Sequence, residues 1–211
     1  MKKLLVVMLL AVAMVVPAFA SNDSKIDVVG KIGLIAAPSF NSSFCGSPEY
    51  NWYEGDADSS FSIAVEGYYK LAEKLSVGLG LSYGFESELS STAYDFFYFS
   101  NDKQKLGFTN IYLSVKPNLS ENIYAIGQIG YGIPHASGND YYNSYGMEFR
   151  VNGGGLYFGL GAGVEYKSFI FEVLYSINKA TLKEKNIFTS GQDCSFRYSA
   201  FNVNIGYKFT I

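Results

Sequence analysis

From Leu75 to Glu86 the bulky residues Leu75, Val77, Leu79, Leu81, Tyr83 and Phe85 alternate without a break with Ser76, Gly78, Gly80, Ser82, Gly84 and Glu86. A period of two over that length describes a strand with one apolar face and one small, polar face. It does not fit a helix, whose apolar positions recur every three or four residues. The same period returns seven more times, at about Lys25 to Ala37, Ser59 to Lys70, Leu106 to Lys116, Ile123 to Ile133, Leu156 to Lys167, Phe169 to Asn178 and Tyr198 to Ile211. In the last segment Phe201, Val203, Ile205, Tyr207, Phe209 and Ile211 stand opposite Asn202, Asn204, Gly206 and Lys208.

The connections alternate as well. Leu71 to Lys74, Pro117 to Asn122 and Lys167-Ser168 are short, whereas Pro38 to Asp58, Ser87 to Lys105, Pro134 to Gly155 and Lys179 to Arg197 are long and polar. An even number of antiparallel strands with short turns at one end and long loops at the other is the pattern of a transmembrane β-barrel. A soluble eight-stranded barrel would alternate too, but its polar face would meet water. Here that face is mostly Gly, Ser and Asn, a poor surface for water and a good filling for a narrow lumen. The opposite face places Tyr69, Tyr83, Phe85, Tyr166, Phe169, Tyr207 and Phe209 near strand ends, where aromatic girdles meet the two membrane interfaces.

The beginning of the chain fits export. Lys2 and Lys3, the apolar run Leu4 to Val16 and Ala18-Phe19-Ala20 read as a signal peptide over residues 1–20, leaving one domain over 21–211. The run is shorter than the about twenty residues of a spanning helix. Without Lys2 and Lys3, 16 basic residues become 14 against 19 acidic ones, a balance in which nothing suggests nucleic acid, and no nucleic-acid partner is expected.

The expected architecture is therefore all-β, an eight-stranded antiparallel up-and-down transmembrane barrel with its apolar face in lipid. Charges on the inward face group near the short-turn end: Lys70, Lys116, Lys167 and Lys208, with Glu66, Glu165 and Glu172 a few residues further in. Charges withdrawn from water persist when paired, so an interior Glu/Lys network is expected; separately hydrated groups around trapped water are the alternative.

Over its whole mature length the chain resembles the OmpA/OmpX-type eight-stranded outer-membrane barrel superfamily. The most specific local feature is the ending Asn204-Ile205-Gly206-Tyr207-Lys208-Phe209-Thr210-Ile211, similar to the C-terminal assembly signal of such proteins, with Asn204, Gly206, Phe209 and Ile211 at its key positions. Ile211 departs from the usual terminal aromatic. The resemblance implies residence in the bacterial outer membrane, outer-membrane lipid as surroundings and the barrel-assembly machinery as a partner. No peptidoglycan-binding domain is expected, so a cell-wall tether is not implied.

Chemistry is sparse. The sole histidine, His135, is followed by Ala136 and Ser137, with Glu148 downstream. Some eight-stranded lipid A deacylases use a similar His-x-Ser pair with a Glu, Ser as nucleophile and His as base. Here the pair is expected in a loop between the fifth and sixth strands, which favours a solvated loop histidine. Glu54, Asp56 and Asp58 form an acidic patch without the remainder of a calcium motif. One His and two Cys assemble no ordinary zinc site. No catalytic residue, cofactor or metal is expected. Tyr94, Phe96, Phe97, Tyr98, Phe99, Tyr141, Tyr142 and Tyr145 are read either as an exposed contact surface or as packing between hairpins that rise beyond the membrane.

Cys45 and Cys194, the only cysteines, fall in the first and fourth long loops, which barrel closure makes neighbours; export to an oxidising compartment reads them as a disulfide. The leading functional expectation is a non-enzymatic structural or surface-interaction barrel, meeting an extracellular ligand or host surface through its loops. The alternatives are a narrow small-solute channel and a lipid-modifying enzyme centred on His135 and Ser137.

Overall fold

A computed structural model describes residues 26–42, 53–90, 105–137, 141–142, 148–185 and 193–211. The strands are β1 (Ile26–Ser42), β2 (Tyr53–Ala57), β3 (Ser60–Ala72), β4 (Leu75–Gly84), β5 (Ser87–Ser90), β6 (Lys105–Pro117), β7 (Ile123–Ser137), β8 (Tyr141–Tyr142), β9 (Glu148–Gly153), β10 (Gly155–Tyr166), β11 (Phe169–Lys185) and β12 (Asp193–Thr210). They make eight staves, because β2 continues β3, β5 continues β4 and β9 continues β10 across one or two irregular residues. Each stave pairs antiparallel with its sequence neighbours, through β1–β3, β3–β4, β4–β6, β6–β7, β7–β10, β10–β11 and β11–β12. The ladder β1–β12, running from Asp27↔Thr210 to Ser42↔Phe196, closes the barrel and leaves no edge along the staves. Ile26 and Ile211 complete it with reciprocal backbone hydrogen bonds of 3.3 and 2.9 Å.

Alternation carries the two faces where it was read. Ile32, Phe61, Ile111, Leu113, Ile129, Leu160, Phe171 and Ile205 point outward and expose between 47% and 71% of their surface. Apolar area of this extent all round a barrel has no stable place in water. Inward glycines make room for large inner rings. A Cβ on Gly80 would lie 2.3 Å from the Tyr112 ring, and one on Gly163 2.4 Å from the Tyr124 ring. Tyrosines fill much of the lumen: Tyr68 and Tyr112 on the inward parity of Ser59 to Lys70 and Leu106 to Lys116, together with Tyr124 and Tyr157, are buried there.

The staves run further toward the long-loop end than expected. β1 passes Pro38 and reaches Ser42, β7 reaches Ser137, β11 reaches Lys185 and β12 begins at Asp193. A bulge between Ala36 and Ser39, with Ala37 at φ 45°, lets the buried Pro38 interrupt β1 without ending it. The extended ends enclose an apolar cluster of Ile35, Ala57, Leu106, Phe108, Ala180, Phe196, Tyr198 and Ala200. In β11 and β12 the alternation reverses there, apolar Ala180, Phe196 and Tyr198 facing inward and Lys179, Ser195 and Arg197 outward, because the outer face no longer needs to be apolar once the staves leave lipid. The expected signal peptide lies outside the described residues, as do the stretch from Tyr94 to Phe99 and Tyr145. Tyr141 and Tyr142 form β8, paired with Phe149 and Glu148 of β9.

Candidate functional site: the filled lumen

At mid-height three charges from three staves meet. Lys31 on β1 lies on the face opposite Ile32 and Leu34, so alternation turns it inward, where it is 6% exposed. Its Nζ is 2.6 Å from Glu66 Oε2 and 2.9 Å from Glu172 Oε2. Glu66 also accepts hydrogen bonds from Tyr68 (2.8 Å), Tyr112 (2.8 Å) and Gln128 (3.1 Å). Gln128 in turn accepts one from Tyr157 at 2.6 Å. Glu172 accepts from Tyr124 at 3.1 Å and from Asn204 at 3.4 Å. Buried carboxylates are tolerable only with this density of donors. Together these side chains cross the barrel from wall to wall.

A second cluster lies nearer the short turns. Glu165 pairs with Lys116 at 3.4 Å and with Lys208, and Lys208 stands 3.9 Å from Asp27. Lys116 Nζ also sits 3.9 Å from the centre of the Tyr124 ring, a cation–π contact that couples the two layers.

Of the residues expected in an interior network, Glu66, Glu172, Glu165, Lys116 and Lys208 thus take part in these clusters, but in two separate groups. Lys70 and Lys167 do not. Lys70 is exposed near the end of β3, opposite Ser76. Lys167 occupies the two-residue turn between β10 and β11, with its Nζ 5.5 Å from the Tyr166 ring. The cation that neutralises Glu66 and Glu172 is Lys31, which the sequence reading missed. Its signal was a lone charge at mid-strand between Val29 and Gly33 on the inward parity.

His135 and Ser137 lie on β7 rather than in a loop, a correction that follows from the strand's extension past Pro134. The imidazole crosses Gly107 and stacks on Tyr83 with ring centres 4.7 Å apart. Ser137 Oγ donates to Glu86. Of Glu148 the described feature is its backbone pairing with Lys185 and Tyr142. In the C-terminal segment, Asn204 and Gly206 are buried inward and Phe209 and Ile211 are exposed outward, 58% and 66%. Cys45 lies outside the described residues, and Cys194 is described only through its backbone, in register with Leu182. Among the described residues no cluster of His, Cys, Asp and Glu is arranged to hold a metal ion.

The family model described as outer membrane protein beta-barrel domain matches residues 4–209. The chain belongs to this family. As an outer-membrane barrel it carries its apolar band in lipid, its short turns toward the periplasm and its long-loop end outside. No curated protein matches it. Solved structures share its fold at low identity. The outer membrane protein OprG of Pseudomonas aeruginosa is 13% identical over 88% of this chain and 96% of that one, with a TM-score of 0.50. Outer membrane protein AlkL is 9% identical over 92% and 95%, with a TM-score of 0.54. Neisserial surface protein A is 12% identical over 87% and 97%, with a TM-score of 0.50.

Proposed function

We propose that this outer-membrane barrel is non-enzymatic and serves a structural or surface-interaction role through its external loops, meeting an extracellular ligand or host surface there. The observation that carries the reading is the cross-section at Lys31, Glu66 and Glu172, where the ion cluster and its tyrosine donors span the lumen. A barrel closed in this way acts on its surroundings from its outer end. Neisserial surface protein A, a surface protein by name with the same fold, agrees with that reading.

A polar chamber above the cluster, lined by Ser62, Ser82, Asn110, Asn178 and Asn202, favours a second reading as a narrow small-solute channel. That reading requires the cluster to open. The lipid-modifying alternative has less support, since His135 stacks on Tyr83 while the Ser137 hydroxyl is directed to Glu86. The deciding experiment is reconstitution in planar bilayers, paired with a binding screen of loop-deleted variants against extracellular ligands. The surface reading expects near-silent bilayers and binding that depends on particular loops. A large, steady conductance of the unmutated protein would refute it.

A further inference from the structure

We propose that the chamber above the ion cluster binds a monovalent metal cation, held by the side-chain amide oxygens of Asn110 and Asn178. The chamber is a cavity of about 50 Å³ between the Lys31 cluster below and the apolar cluster of Phe108 and Tyr198 above. A water needs about 10–15 Å³ of such space, so the volume accommodates a cation with a few waters. Asn110 and Asn178 are 8% and 4% exposed, and the Oδ1 atom of each accepts no hydrogen bond from any described residue. Both oxygens converge on one place. A Cβ on Gly132, between them on β7, would lie 2.8 Å from Asn110 Oδ1 and 2.4 Å from Asn178 Oδ1. Asn110 Nδ2 donates to Ser82 Oγ at 3.3 Å, which directs its oxygen to that place. Two buried acceptors left without donors are costly, and nothing selects for the pairing unless something positive or hydrogen-donating sits between them.

Charge argues for the cation. The cluster forming the chamber floor has one ammonium, Lys31, against two carboxylates, Glu66 and Glu172, and so holds one negative charge in excess. The layer beneath adds Lys116 and Lys208 against Glu165 and Asp27 and leaves that excess unchanged. The carboxylate oxygens are already engaged by Lys31, tyrosines, Gln128 and Asn204, so the ion's protein ligands are the two neutral amide oxygens, with water completing its shell. One excess charge and two neutral ligands suit a singly charged ion. Calcium takes six to eight oxygens and magnesium a near-ideal octahedron, usually with carboxylates among them.

The test uses the full mature chain refolded and crystallised in rubidium chloride, with anomalous diffraction at the rubidium edge. The expected result is a peak within coordinating distance of both Oδ1 atoms, lost in Asn178→Leu and kept in Asn178→Asp, which retains an oxygen and covers the case in which the leucine variant does not fold. Thermal unfolding should also shift upward in potassium chloride relative to choline chloride at equal ionic strength, because a ligand of the folded state stabilises it. Absence of the peak in the wild type, its persistence in Asn178→Leu, or an ordered water or direct Asn110–Asn178 hydrogen bond in its place would overturn the proposal.

Discussion

Replacing Lys31 with Met keeps most of the side-chain volume and removes the one charge on which Glu66 and Glu172 converge. The two carboxylates, each with about 1% of its side chain exposed, would then face each other across the lumen with no cation between them. Glu66 would keep Tyr68, Tyr112 and Gln128, and Glu172 would keep Tyr124 and Asn204, so the cost falls mainly on charge rather than on lost donors. Breaking a buried pair by removing one partner costs about 3–5 kcal/mol. That is a large share of a total stability of about 5–15 kcal/mol. Equilibrium urea unfolding of barrels refolded into lipid vesicles, read by β-type circular dichroism and by the gel-mobility difference between unboiled and boiled samples, measures it. Lys70→Met is the control, expected to fall within about 0.5 kcal/mol of the wild type because that lysine is exposed. The triple variant Lys31→Met, Glu66→Gln, Glu172→Gln should recover most of the loss, since it removes the unpaired charges together. A loss of less than about 1 kcal/mol for Lys31→Met, the range of an exposed pair, would mean that water already solvates the cluster and that the lumen is not sealed there.

Two other changes test the ends of the staves. Lys167 holds φ at 56° in the turn closing Tyr166↔Phe169, a left-handed position that glycine adopts without the cost of a Cβ. Lys167→Gly should therefore stabilise the barrel by about 1 kcal/mol in the same urea assay, and a clear loss would place Lys167 in a structural interaction of its own. Deleting Phe209 to Ile211 removes the rungs Asp27↔Thr210 and Val28↔Phe209 and the Ile26–Ile211 hydrogen bonds that finish the closing seam. Unpaired backbone is not tolerated in lipid. Fractionation should find that truncation in the periplasm, and normal insertion would count against an assembly role for the segment.

The eight staves were legible because lipid demands a bulky face and a narrow lumen demands a small one, which writes period two into β4, β10 and β12. What escaped the sequence had no such demand behind it. The outer portions of β11 and β12 leave the apolar band and their alternation reverses, with Ala180, Phe196 and Tyr198 buried inward and Lys179, Ser195 and Arg197 exposed, so no bulky apolar outer face continues to mark them. The ion cluster was half legible. Counting inward charges by parity finds Glu66 and Glu172, but depth along a tilted stave depends on register across the barrel. Lys70 is close to Glu66 in sequence and ends exposed, whereas Lys31, on the neighbouring stave, reaches both carboxylates through the pairings Lys31↔Ala64 and Lys31↔Gly206. Pro134 looks in sequence like the start of a loop, yet it stays in the ladder opposite Phe108, and His135 follows it there opposite Gly107.

Register also sharpens the expectation of a Cys45–Cys194 disulfide. The closing ladder reaches Ser42↔Phe196, so Cys45 follows a paired residue by three positions and Cys194 precedes its partner by two. At about 3.8 Å between consecutive Cα atoms, so few residues beyond one rung leave the two cysteines within reach of each other. A disulfide needs Cα atoms about 4.4–6.8 Å apart. In the chain-entropy view a circuit this long contributes about 5 kcal/mol. The ladder between β1 and β12 already joins the same two staves, so the bond restricts mainly the outer loops, and Cys45→Ser with Cys194→Ser should cost well below that figure while making the loops easier to cleave by protease. The check is a thiol titration of unreduced, unfolded mature protein together with mass spectrometry of the linked peptides. No free thiol before reduction and two after it are expected; two titratable thiols in protein isolated from the outer membrane would rule the bond out.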